Sequence, residues 1–196
     1  MDPITPLLVL HCFGLALGLG GATILDVILL RSLRHTVEAA NIRLFETIAS
    51  LVSMALALLW LSGLGFLAIY AWRSPAMLEN PKLWAKIVVV GILTANGAVL
   101  HAKILPILRA QAGRTVFDGL PPRTRVWMLT AGAVSVVSWY YPFLLGIVRE
   151  LNFAASVATF LLAYAASLAA AWMLVQATAT WIAAAEANTR NSAPTA

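Results

Sequence analysis

Two pairs of ionisable residues interrupt the apolar runs of this chain at the same spacing. His11 and Asp26 are fifteen residues apart, and so are Lys86 and His101. On an α-helix that separation is about 22 Å of rise and about 60° of rotation. Both members of a pair can therefore face one way, near opposite sides of a hydrocarbon layer about 30 Å thick. Ionisable side chains are costly to hold at such depth and are candidates for function by default.

Each residue type brings its own chemistry. His11 suits a haem ligand, a proton carrier or a hydrogen-bonded structural histidine. Lys86 can anchor an anionic group such as a haem propionate, or extend its ammonium to the headgroups. Asp26, His101 and a further carboxylate, Glu46, combine two acids and an imidazole. That set suits a hard or borderline metal ion, a proton relay, or a charge-paired cluster in which Asp26 accepts from His101 and Glu46 meets Arg31, Arg34 or Arg43. No metal-binding signature of the H-E-x-x-H kind supports the first option.

The elements that must carry these residues are membrane spans. Of 196 residues, 61% are hydrophobic and 11% charged, too little charge to cover a soluble domain of this size. The mean hydropathy of +0.87 agrees. A net charge of +5 could suggest nucleic acid, but the basic residues lie between apolar runs and form no patch with interleaved aromatics. No nucleic-acid partner is expected. Windows of about 20 apolar residues predict five spans: Pro6 to Leu30, Leu44 to Trp72, Leu83 to Leu108, Val126 to Val148 and Phe153 to about Ala185. The expectation is an all-α polytopic transmembrane bundle, one domain over residues 1–186, with a disordered tail at 187–196. Met1-Asp2-Pro3 lacks a basic n-region, so the first apolar run reads as a retained helix. Cys12 is the sole cysteine, which rules out an intrachain disulfide. No nucleotide-binding loop or catalytic triad occurs.

Arg31, Arg34, Arg43, Arg109, Arg114, Arg123 and Arg125 sit in the first and third connections. The positive-inside rule then predicts an N-terminus outside and a cytoplasmic C-terminus. With that topology His11 and Lys86 share an outer level, while Asp26, Glu46 and His101 share an inner one. Gly14 and Gly18 fall on the stripe between His11 and Asp26 as G-x-x-x-G, and Gly97 lies between Lys86 and His101. Such stripes suit a flat ligand slot or close helix packing equally. The two histidines, at opposite depths, are not expected to clasp one haem. The aromatics Trp139, Tyr140 and Tyr141 are expected in an interfacial belt. Gln176, Thr178 and Thr180 are expected to bond between helices.

His11 followed by Gly14, and the stretch from Lys86 to Gly97 leading to His101 and Pro106, resemble the HemJ/CopD group of small bacterial membrane proteins. The resemblance spans about the first 110 residues. It implies a protein of the bacterial inner membrane. In HemJ-type protoporphyrinogen oxidases an early histidine and a later lysine are associated with b-type haem, and those roles would fall on His11 and Lys86. If the chain is an enzyme, the resemblance implies a membrane oxidoreductase; CopD-like members are linked to copper handling. The expected partners are the lipid bilayer and either further copies of the chain, as a homo-oligomer, or a larger membrane complex.

Overall fold

The computed structural model describes residues 2–33 and 35–191, with side chains described except at 179 and 182–191. Arg34, one of the three arginines that a charge-paired cluster would offer Glu46, lies outside the described residues. The described chain is helical almost throughout: α1 (Ile4–Ser32), α2 (Ala39–Arg73), α3 (Pro81–Val99), α4 (Leu105–Ala110), α5 (Pro122–Ile147) and α6 (Val157–Asn191). A π-helical turn, Leu100–Ile104, joins α3 to α4, so these three segments form one span. Five helical stretches are long and apolar enough to cross a membrane. The protein is an integral, multi-pass membrane protein built on the five expected spans. The fifth begins at Val157 rather than Phe153, which sits in the preceding loop with φ 56°. It continues to Asn191, past the expected helical limit at Glu186; residues 192–196 of the expected tail lie outside the described residues.

Local chemistry accounts for the boundaries. Asn80 accepts from the Lys82 backbone N–H at the start of α3, and Pro81 follows at the first helical position, where its missing N–H costs nothing. Pro122 takes the same first helical position in α5, where no side chain caps the helix. The π turn precedes Pro106, whose ring cannot donate to a carbonyl one turn back. A widened turn is one way a helix relieves that loss. α5 passes through Pro142 without a break.

α1 and α2 form a tight antiparallel pair, and α5 lies between α1 and α3, with α6 outside against α5 and α3. The backbones of α2 and α3 stand apart, and side chains bridge them. The two ends of the bundle are tied differently. At the end bearing the N-terminus, the buried Asn80 binds Asn152, and the Lys82 ammonium donates to the Val148 carbonyl at the end of α5. At the other end the connections 33–38 and 111–121 are laced together. Val37 N–H donates to the Arg114 carbonyl, and Gly113 N–H to the Val37 carbonyl. Val37, Val116 and Phe117 then form an apolar plug with Ile104, Leu108, Met128 and Ala131.

The aromatics of α5 correct one expectation. Trp139 is 3% exposed and packs with Ala22, Leu59 and Leu93 in the middle of the bundle. Tyr141 donates to the Phe160 carbonyl, and Ser138 shares a hydrogen bond with Tyr164. These side chains fasten α5 to α1 and α6 instead of forming an interfacial belt. Thr178 and Thr180 correct another, since both donate to carbonyls of their own helix. Each hydroxyl proton is used within α6, and among the described residues neither hydroxyl is seen bonded to another helix.

Candidate functional site

The polar residues of the spans fall into two places, and α2 serves both through two serines. Ser53 and Ser62 are nine residues apart, about 180° around a helix, so they face different neighbours. Ser62 is fully buried and meets α1; Ser53 meets the π turn.

At the N-terminal level the Ser62 hydroxyl donates to the Leu58 carbonyl at 2.7 Å. A 2.8 Å contact joins the same hydroxyl to His11 Nδ1. Ser62 thus anchors the imidazole through Nδ1, and Nε2 is the ring nitrogen without a hydrogen-bond partner among the described residues. The ring edge rests on Phe66 at 5.7 Å between centroids. Lys86 lies within electrostatic reach of His11, and its ammonium has no hydrogen-bond or ion-pair partner among the described residues.

The glycines between the levels are occupied by protein. Gly14 faces the Ala55 carbonyl and the Leu59 and Leu58 side chains, at 3.1–3.3 Å from where a Cβ would stand. At Gly18 a Cβ would lie 2.2 Å from the Trp139 ring. Of the two readings of the stripe, this geometry is that of helix packing.

Toward the plug the bundle opens. Four elements enclose a cavity with about 90 Å³ of room for the centres of water molecules, enough for several at roughly 10–15 Å³ each. Ala22, Leu25, Asp26 and Leu29 come from α1; Phe45, Ala49, Val52, Ser53 and Leu56 from α2. The third span gives Leu93, Gly97, Leu100, His101, Ile104 and Leu105, and α5 gives Met128, Gly132, Ser135 and Trp139. Trp139 roofs the cavity, and Met128 and Ile104 of the plug cluster floor it. Neither Gly97 nor Gly132 has an atom within 4 Å of a built Cβ. At these two positions glycine leaves space.

Two of the three expected inner residues share this cavity. The Asp26 carboxyl lines it with no hydrogen-bond or ion-pair partner among the described residues. His101 Nε2 meets Ser53 at 2.9 Å, while Ser53 donates its proton to the Ala49 carbonyl. Glu46 stands apart and pairs with Arg109. Among the described residues no three His, Cys, Asp or Glu side chains gather as a metal would need. The carboxylate of Glu46 is neutralised by a guanidinium instead, which removes it from the expected trio.

Sequence reasoning missed the two serines, the π turn and Ser135. Serines in apolar helices carry no signal of which neighbour they face. Pro106 was a usable sign of an irregular turn, since it must leave a carbonyl one turn earlier without its usual donor. No protein-family model, curated protein or solved structure matches the chain.

Proposed function

We propose that this is an inner-membrane protein that binds a proton-equivalent or cationic solute in its central cavity and passes it across the bilayer. The observation that carries the reading is Asp26, a carboxyl in the cavity wall with no hydrogen-bond or ion-pair partner among the described residues. A charge held there without compensation is costly, and a bound cation supplies the compensation. His101, its ring held by Ser53, lines the same cavity. The arginines of the first and third connections favour a cytoplasmic location for the plugged end.

Reconstitution tests the reading directly. Liposomes carrying the protein under a potassium diffusion potential are expected to take up protons or tetraethylammonium faster than empty liposomes. Asp26→Asn is expected to lower that rate at least tenfold. Uptake equal to that of empty liposomes for both cations would overturn the proposal.

One observation favours a second reading, a b-type haem at the N-terminal level. His11 is held through Nδ1 with no partner at Nε2 among the described residues, and the Lys86 ammonium, likewise without a partner among them, lies within its electrostatic reach. His11 would supply the axial nitrogen and Lys86 the partner for a propionate, the haem itself bringing one-electron chemistry. Gly14 and Gly18 are filled by α2 and Trp139, so a haem would have to lie on another face of α1. Protein expressed with ample haem and purified without a Soret band would exclude this reading.

A further inference from the structure

The cavity has an opening, and its position says what can reach it. Ser53 and His101 line the cavity and are also exposed at the surface of the bundle. The same gap between α2 and α3 is bridged a second time where Trp60 Nε1 donates to Thr94 at 3.0 Å. On each helix the two bridges are seven residues apart, about 10 Å of rise. They form the upper and lower bars of a window, with Leu56 and Gly97 between them. Both helices continue well beyond the window in each direction: α2 spans Ala39–Arg73, and the third span runs Pro81–Ala110. The window therefore opens in the middle of the membrane, onto lipid, while the plug covers the end toward the 111–121 connection.

The lining fixes the chemistry of what fits. Most of the wall is aliphatic or aromatic, with Phe45, Met128 and Trp139 among its residues. Its polar groups are few: the Asp26 carboxyl, which has no hydrogen-bond or ion-pair partner among the described residues, the hydrogen-bonded pair of Ser53 and His101, and Ser135. An apolar chamber with an uncompensated carboxyl calls for a guest with an apolar body and a donor-bearing positive head. A ring-bearing cation gains further from aromatic faces.

We propose that the cavity takes up a lipid-soluble organic cation, a protonated amine on an apolar body. The guest enters sideways from the membrane between α2 and α3 and sets its head on Asp26. This deepens the solute-binding reading above and rests on it.

The test uses the full chain in liposomes, with Cys12→Ser and Gly132→Cys, a position with room for a side chain. Alkylation of that cysteine by N-ethylmaleimide reports occupancy. The probes are 2-phenylethylamine and its neutral counterpart 2-phenylethanol. The amine is expected to protect at a concentration at least tenfold lower than the alcohol, and Asp26→Asn to erase the difference. Gly97→Leu, which fills the window without touching a charge, is expected to abolish protection by both. Equal protection by amine and alcohol with Asp26 intact overturns the cationic guest and leaves solute binding standing. Protection by neither overturns both. That comparison needs no Asp26 variant, so a folding failure of Asp26→Asn does not disarm it. For the route, Gly97→Cys in the Cys12→Ser background is expected to react with N-ethylmaleimide but not with a membrane-impermeant sulfonated thiosulfonate. Equal reaction with both places the window in water and overturns sideways access.

Discussion

Glycines on α1 and glycines on α3 and α5 face the same bundle interior with opposite results. Gly14, Gly18 and Gly21 press against Leu59, Trp139 and Val52, so closely that a methyl group at Gly18 or Gly21 would overlap its neighbour. Gly97 and Gly132, lower in the bundle, meet nothing and border the cavity. The difference lies in what stands opposite. Across from Gly18 is the largest side chain of α5, whereas across from Gly132 the other helices present groups that stop short. A small residue in a membrane helix allows approach; whether approach happens is decided by the partner.

The sharpest way to break this contrast is one substitution made twice. Gly18→Ala is expected to lower stability by about 1–3 kcal/mol, the usual penalty for overpacking, read as an earlier thermal unfolding midpoint in detergent. A midpoint unchanged within error would mean that the Trp139 contact is not part of the folded state. A smaller loss is expected from Ser138→Ala, which strips the buried Tyr164 hydroxyl of its partner. Interhelical hydrogen bonds in membranes contribute about 0.6 kcal/mol on average and about 1.7 at most, and Tyr164→Phe should give a matching figure. Gly132→Ala completes the pair at the open end. It is expected to gain about 0.5 kcal/mol from helix propensity, with no clash to offset it. A loss comparable to that of Gly18→Ala would show that the cavity closes in solution. Least affected should be Glu46→Gln, whose ion pair with Arg109 is partly exposed; pairs of that kind contribute between about 0 and 1 kcal/mol. A larger loss would give Glu46 a role at the open end that its present geometry lacks.

The five spans were legible because twenty consecutive apolar residues are a strong one-dimensional signal, and each predicted boundary fell within a few residues of the helix observed. The axial spacing of the ionisable groups was legible too, since rise per residue depends on nothing beyond the helix itself. His11 did come within electrostatic reach of Lys86, and Asp26 did share a cavity with His101. What the sequence could not carry was azimuth between helices. Glu46 has the right depth for the inner site, yet it faces Arg109. G-x-x-x-G drew attention to Gly14 and Gly18, while open space lay beside Gly97, which the stripe between Lys86 and His101 had marked, and beside Gly132, which nothing had. Trp139 looked interfacial from its neighbours Tyr140 and Tyr141, but a glycine on another helix gave it a place inside.

The π turn has a consequence for the whole third span. Val89 and Leu108 are both buried, at 0% and 5% exposure, though they are nineteen residues apart. On a regular α-helix that spacing leaves them about 100° out of phase. Eighteen residues would make five full turns and put them in line. The widened turn absorbs one supernumerary residue, so both halves of the span present the same face to the bundle. Removing the exposed Ala102 should therefore keep both packing faces in register, while taking from Pro106 the relief that the widened turn gives it. Such a deletion would also change the aim of His101, which sits inside the loosened turn. One extra residue thus serves both a proline and an imidazole.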